Sequence, residues 1–188
     1  CRDYPLLKVK LGGTDDEAAI RAIRDVAPNP RITVDANTGW SIDLLREFEP
    51  LLLDLGVELI EQPMPSENDE DLIDFKSRIP IAADESCQTA ADVEHLIGKY
   101  QTAVIKLDKA GGLTGAIDLM NKARDAKLDL MVSCMIGTSL GMAPARLIGT
   151  YCRTVDLDAP MNLKVDRKHP IPFTKGRMHA TPEALWGG

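Results

Sequence analysis

Three acidic side chains each close a short apolar run: Asp35 in ITVDAN, Glu61 in VELIEQP and Asp84 in PIAADES. Carboxylate oxygens are hard donors, so three of them gathered at one rim suit Mg2+ or Mn2+ better than zinc. One such acid alone reads as a helix cap or a surface charge. Their regular recurrence is what points to metal ligation. Two lysines stand at similar positions, Lys10 at the end of Lys8-Val-Lys10 and Lys106 at the end of the run that opens IKLDKAGG. Side chains alternate along a strand, which puts Lys8 and Lys10 on one face. Two ammonium groups that close disfavour each other's charged form, an arrangement expected to lower the pKa of Lys10 toward the range of a general base.

Positioning these groups requires strands that end together. The apolar and β-branched runs predict strands over Leu6 to Leu11, Ile32 to Ala36, Glu58 to Glu61, Ile81 to Ala83, Val104 to Leu107, Leu130 to Ser133 and Val155 to Leu157. Helical spacing falls between them, near Asp15 to Val26, Ile42 to Asp54, Glu70 to Lys76, Ala91 to Ile97, Leu113 to Ala126 and Ser139 to Tyr151, with start signals at Thr14, Ser41 and Thr89. Strict alternation of strand and helix argues for an α/β fold with a parallel sheet. An open doubly wound sheet would place a ligand at one switch point, whereas here chemical groups end nearly every strand. The expectation is a partial (β/α)8 TIM-type barrel lacking its first strand, with its chemistry at the carboxyl ends of the strands. The domain expected is 1–162, and 163–188, rich in Pro and Gly and holding Trp186, is expected as an irregular extension.

Composition narrows the functional classes. A net charge of −7, with no Lys/Arg cluster interleaved with aromatics, argues against nucleic acid. No apolar run reaches the roughly 18 residues of a membrane span, and no signal peptide is visible, so a cytoplasmic location is expected. Cys1, Cys87, Cys134 and Cys152 show no CxxC spacing, which points to reduced thiols. Cys134 lies near a strand end, but no histidine is placed to activate it, and packing is its simpler role. The chain passes at once from Cys1 into the strand-like LLKVKLG, so a preceding N-terminal portion is expected.

In this order and spacing, KVKLG, VDAN with Trp40, IEQP, ADES and IKLDKAGG resemble the enolase superfamily, in particular its muconate-lactonizing branch. The resemblance runs over almost the whole chain. It implies a modified (β/α)7β barrel that normally works beneath an N-terminal capping domain; this sequence is expected to start after that domain and after the first barrel strand. It further implies Mg2+ ligation by Asp35, Glu61 and Asp84, with Lys10 and Lys106 as acid/base groups on the two faces of a small-molecule substrate. Enolase-superfamily sites of this kind, a Lys or His base with Mg2+ stabilising an ene-diolate, are an established pattern. Lys8 would add positive charge near the same substrate oxygens. One lysine per face gives inversion at carbon, a racemase or epimerase reaction.

The last strand reads Thr154-Val155-Asp156-Leu157-Asp158, and alternation points both carboxylates to one side, where they could grip an ammonium group. Similar Asp-x-Asp segments mark dipeptide epimerases, in which the pair binds the free α-amino group. The two acids could also cap the tail that follows. The segment from Ser133 to Ser139 resembles the family's specificity loop, which would bring Cys134, Met135 and Ile136 to the substrate, while Thr138 and Ser139 read equally as helix caps. Gly137 replaces a Glu found in some relatives. Asn37 and Glu85 stand beside expected metal ligands and would orient them. A mandelate-racemase-like histidine base is not expected, because His95, His169 and His179 fall at no predicted strand end. The reading is therefore a Mg2+-dependent dipeptide epimerase acting at the second residue. A cycloisomerase, an o-succinylbenzoate synthase or a non-catalytic metal-binding fragment is the alternative. Homo-oligomers are compatible with this type of barrel.

Overall fold

The structure is a computed structural model that describes residues 2–186. Cys1 and the last two residues of the expected extension lie outside the described residues. The chain divides into two compact units, one of residues 1–86 and 95–102, the other of residues 87–94 and 103–188.

The first unit carries β1 (Leu6–Lys10), α1 (Asp16–Val26), β2 (Arg31–Asp35), α2 (Ile42–Asp54), β3 (Val57–Glu61) and β4 (Ile81–Ala83), with β1-β2-β3-β4 side by side in chain order. The three pairings are parallel, and their register sets Lys10 beside Asp35, Asp35 beside Glu61 and Glu61 beside Ala82. Sequential parallel pairing is what short strand-helix-strand connections produce. The ladder runs one residue beyond each strand, from Leu11 N to Asp35 O (2.8 Å), Ala36 N to Glu61 O (3.1 Å) and Gln62 N to Ala82 O (2.8 Å). Ile20, Ile32, Val34, Leu45, Leu52, Ile60 and Ile81 are fully buried, so the helices lay one apolar stripe on the sheet and leave Glu17 and Arg21 in solvent.

Helix starts follow the expected signals in part. Ser41 Oγ accepts from Leu44 N at 3.2 Å, but Thr14 does not cap α1. Asp16 satisfies the preceding turn instead, accepting from Gly12 N (2.8 Å), Gly13 N (2.9 Å) and Trp40 Nε1 (2.8 Å). This ties the loop after β1 to the loop after β2. The same loops interlock through glycine: a Cβ on Gly12 would lie 2.2 Å from Ala36 O, and one on Gly39 would lie 2.6 Å from Gly12 Cα. The helix expected over Glu70 to Lys76 does not form. A 3-10 turn over Ser66–Leu72 replaces it, because Asn and Asp in SENDED favour local turn bonds over helix and Asp69 turns inward.

Glu49 on α2 is buried and accepts from Ser77 Oγ (2.7 Å), Arg78 N (2.7 Å) and Arg78 Nε (3.3 Å). Burial pushes its carboxyl up, but these donors outweigh it and hold the pKa below the ordinary value. Glu49→Ala strands the Arg78 N–H and is expected to cost about 1–3 kcal/mol in urea denaturation. A depressed carboxyl contributes stability above its unfolded pKa, and that share disappears as pH falls through the folded value. The gap between wild type and Glu49→Ala should therefore shrink on acidification below about 4.3.

The second unit carries α3 (Val93–Leu96) in part, β5 (Thr102–Ile105), α4 (Leu107–Ala110), α5 (Leu113–Asp125), β6 (Asp129–Val132), α6 (Ser139–Gly149) and β7 (Thr154–Val155), with β5-β6-β7 adjacent in chain order. β6 and β7 are parallel, Met131 beside Thr154 and Val132 beside Val155. Thr89 opens a 3-10 turn over Ala90–Asp92 with a reciprocal capping box to Asp92. The tail, expected to be irregular, contains a 3-10 turn over Ala159–Asn162 and an antiparallel hairpin of β8 (Phe173–Thr174) and β9 (Arg177–Met178). The Lys175-Gly176 turn, with φ of 49° and 73°, is the positive-φ pair that two-residue hairpins use. The α/β class and the strand order are those expected of a partial (β/α) barrel. Among the described residues no helix is long and apolar enough to cross a membrane.

Candidate active site

In the first unit the strand ends bring Lys8, Lys10, Asp35 and Glu61 together. Lys8 Nζ lies 2.9 Å from Glu61 Oε1, 2.7 Å from Glu61 Oε2 and 3.1 Å from Asp35 Oδ2. Lys10 Nζ lies 2.5 Å from the same Asp35 Oδ2. Both ammonium groups therefore have a carboxylate for a neighbour as well as each other. Asp35, Glu61 and Asp84 are 0%, 1% and 3% exposed, a degree of burial that carboxylates reach only when paired or when they hold a cation. Asp84 stands two residues past Ala82, the register partner of Glu61, and its charge acts on Glu61.

The electrostatics of Asp35 and Glu61 differ. Burial pushes Asp35 up, but Lys8, Lys10 and the Asn37 N–H on Oδ1 (3.0 Å) outweigh it and hold it below its ordinary value. Glu61 is pushed up to about 7, by burial first and by the charges of Asp35 and Asp84, against the pull of Lys8. Its Oε2 is buried and accepts no aligned hydrogen bond, although the Lys8 charge is near. Among the described residues no three Asp, Glu, His or Cys side chains form a ready cage; in this structure the lysine ammonium groups meet the carboxylates of Asp35 and Glu61. The donor set nonetheless suits a hard divalent cation, whose charge would relieve the mutual repulsion that raises Glu61.

Asn37 contributes to this site through its backbone N–H, with φ +43°, and Glu85 is half-buried. Gln62, Asp69, Lys99 and Tyr100, all buried, form a hydrogen-bonded group with the half-buried Ser86 next to Asp84, and none of the five is marked by strand or helix periodicity. The only local sign was a polar residue between Glu61 and Pro63.

In the second unit Lys106 follows β5 directly, is 9% exposed and occupies the N-cap position of α4. Its carbonyl accepts from Lys109 N (3.1 Å) and Ala110 N (3.0 Å), so the backbone beneath the ammonium is fixed. Asp156 Oδ2 accepts from Ser133 Oγ at 3.1 Å. Asp158 stands at the N-cap of the 3-10 turn but makes no side-chain capping bond there. Cys134 is near both acids. Burial first, then the charges of Asp156, Asp158 and Asp108, push its thiol up to about 11, so it carries no thiolate for nucleophilic work at neutral pH. Met135 and Ile136 are exposed, Ile136 at 89%. Thr138 holds the N-cap position of α6 without a side-chain capping bond, while Ser139 hydroxyl and amide both pair with Asp166.

The family model described as "Enolase C-terminal domain-like" matches residues 2–184. The chain is 48% identical over 184 residues to the N-acetyl-D-glutamate racemase of Pseudoalteromonas sp, covering 98% of this chain and 58% of that protein. It is 41% identical over 174 residues to the L-Ala-D/L-Glu epimerase of Escherichia coli (strain K12), covering 93% of this chain and 54% of that protein. An enolase family member from Agrobacterium tumefaciens with homology to dipeptide epimerases, solved with sodium and L-Ala-L-Glu, superposes with a TM-score of 0.94 at 42% identity, covering 97% of this chain and 56% of that one. A dipeptide epimerase from Cytophaga hutchinsonii, solved with Mg and D-Ala-L-Val, superposes with a TM-score of 0.87 at 29% identity, over 95% and 52%. The chain thus spans little more than half the length of these relatives.

Proposed function

Because the chain belongs to the enolase C-terminal domain-like family, we propose that it carries the catalytic groups of an isomerase that inverts the α-carbon of the second residue of a dipeptide. What carries this reading is the row Lys10, Asp35 and Glu61 in register on β1, β2 and β3, with Asp84 two residues past Ala82. The residues that would hold the cation are Asp35, Glu61 and Asp84, and Mg2+ is the ion with which the Cytophaga hutchinsonii dipeptide epimerase was solved. When bound, it supplies positive charge to the substrate carboxylate, which offsets the negative charge that builds as the α-proton leaves. Lys8, held between Asp35 and Glu61, adds a fixed positive charge to the same region.

Inversion needs one group to take the α-proton and another to return it from the other face of the planar carbon. Lys10 and Lys106 are assigned to these steps, each serving as base for one stereoisomer and as acid for the other. Asp156 and Asp158 are assigned to the substrate's free ammonium by charge-assisted hydrogen bonds, and Cys134, Met135 and Ile136 to its side chains. The test is NMR of the full-length protein in deuterium oxide with Mg2+ and a dipeptide library. Loss of the α-proton signal of the second residue, with growth of the diastereomer, supports the reading; silence across the library with metal bound sinks it.

Likeness to an N-acetyl-D-glutamate racemase favours one second reading, an N-acylated amino acid with no ammonium. Asp156→Ala separates the two. If a dipeptide is the substrate, kcat/KM should fall about 10- to 100-fold, the value of a hydrogen bond to a charged group, while any turnover of an N-acetyl amino acid is spared. An equal fall for both substrates would remove Asp156 from ammonium recognition.

A further inference from the structure

Gln62 has a backbone that its position disfavours twice. Its φ is +32°, in the left-handed region that residues with a Cβ rarely occupy, and it precedes Pro63, which pushes the preceding residue toward extended backbone. It is also completely buried. Such a conformation persists only where the surroundings over-determine it, and it concentrates at functional sites.

The surroundings are a closed set of hydrogen bonds. Gln62 Oε1 accepts from Asp84 N (2.9 Å) and Ser86 N (3.1 Å). Gln62 Nε2 points its two hydrogens among three acceptors, Met64 O (2.9 Å), Ser86 Oγ (2.9 Å) and Tyr100 OH (3.0 Å). Strand β4 stops at Ala83, so the chain that carries Asp84 has left the ladder. The side-chain amide of Gln62 takes over there, presenting to Asp84 N the carbonyl that a further strand residue would have presented.

The orientation of that amide is itself fixed. Asp69 Oδ2 accepts from Ser86 Oγ (2.8 Å) and Tyr100 OH (3.1 Å), while Asp69 Oδ1 holds Lys99 Nζ at 2.7 Å. Asp69, Lys99 and Tyr100 are all buried. The backbone N–H groups of Asp84 and Ser86 can only donate, so they take Oε1, and where Ser86 and Tyr100 donate to Asp69 Oδ2 both hydroxyls are left to accept from Gln62; Ser86 Oγ also lies 3.1 Å from Ser66 Oγ and from Tyr100 OH. Nε2 must therefore face the hydroxyls and Oε1 must face Asp84 N. Burial raises the Tyr100 phenol above its ordinary range, so it stays a neutral donor.

We propose that Gln62 is a positioning residue that fixes Asp84 relative to Glu61, its own chain neighbour, and that the Asp69–Lys99 ion pair sets the direction of its amide through Tyr100 and Ser86. The inference rests on the reading of Asp84 and Glu61 as cation ligands. It adds that their spacing is built by one residue, which bears on Glu61 through the backbone and on Asp84 through its side chain.

The experiment is Mg2+ titration calorimetry on the full chain, with the melting temperature in excess EDTA measured in parallel. Gln62→Met keeps the volume and loses both ends of the amide; Mg2+ affinity should fall about 10- to 100-fold, as when partners that orient metal ligands are removed. Glu49→Ala, which disturbs a buried carboxylate away from Asp84, should lower the melting temperature and leave Mg2+ affinity unchanged, showing that lost stability alone does not produce the effect. An unchanged affinity in Gln62→Met beside a large loss in Asp84→Asn would overturn the positioning role and leave the cation site standing. Unchanged affinity in Asp84→Asn as well overturns the cation reading and the inference with it. If Gln62→Met does not fold, Tyr100→Phe is read instead: a several-fold weaker affinity supports the network, and an unaltered one refutes it.

Discussion

Replacing Lys106 with alanine is expected to lower epimerisation in both directions by about 10²- to 10⁴-fold, the usual share of a positioned acid/base group, while sparing deuterium exchange from one stereoisomer. A single amine on one face suffices to remove a proton and give back a deuteron with retention. Lys10 would continue to do this for the isomer whose α-hydrogen it meets. Lys10→Ala should show the mirror result, with exchange confined to the other isomer. Lys10→Ala should not unfold the protein, since the Lys10 side chain is 61% exposed. Lys8 is the contrast: its side chain is 13% exposed and it bridges Asp35 and Glu61, so Lys8→Ala leaves two buried carboxylates less compensated and should lower stability as well as activity. Equal and undiminished exchange from both isomers in Lys106→Ala would end the two-base assignment.

Magnesium binding is expected to expel a proton from Glu61 and to weaken steeply on acidification. With no cation present the Glu61 carboxyl is raised to about 7 by burial and by Asp35 and Asp84, and only the ionised form can serve as a ligand. Affinity should thus be level above pH 8 and fall about tenfold per unit below pH 7, one proton competing with one cation. Calorimetry at pH 6 in buffers of different ionisation enthalpy would count that proton. The linked effect on folding has the opposite sign. A carboxyl raised on folding contributes stability that is fully present below its unfolded value and is lost as pH rises through about 7. The Glu61 contribution should therefore make the cation-free protein melt lower at pH 8 than at pH 5, and saturating Mg2+ should erase or reverse that difference. Glu61→Gln should abolish the proton release and most of the affinity; unchanged affinity would exclude Glu61 as a ligand.

Much of this frame could be read from the residues alone. ITVD and VELIE are largely β-branched or aliphatic runs that end in an acid, and β2 and β3 close at Asp35 and Glu61. Periodicity is weaker where elements are a single turn long. β5 stops at Ile105 rather than Leu107, because LDKA forms a four-residue helix before Gly111 and Gly112 that no window of helical length can detect. The hairpin in the tail was overlooked for the same reason, although FTKGRM does carry a turn signal at Lys175-Gly176. The Gln62 network lay out of reach for another reason. Gln62 meets Tyr100 across 38 positions and Asp69 meets Lys99 across 30, and no local pattern encodes which distant polar residues a buried amide will find. The candidate groups were legible as acids and amines at strand ends, whereas the parts that hold them in place are tertiary.

The interlock of Gly12 with Gly39 bears on how a mutational tolerance map of this chain should be interpreted. Neither position has room for a methyl group, since the obstruction at each is main chain that cannot rotate aside. Saturation mutagenesis scored by activity will rank both beside Lys10 and Asp35, although neither glycine bears a group that reacts or binds. A parallel screen for folded abundance, such as a protease-resistance assay, would separate them, since Gly12 and Gly39 variants should disappear from the folded pool while Lys10 variants remain in it. Without that second axis, two clearance positions would be mistaken for two members of the reaction centre.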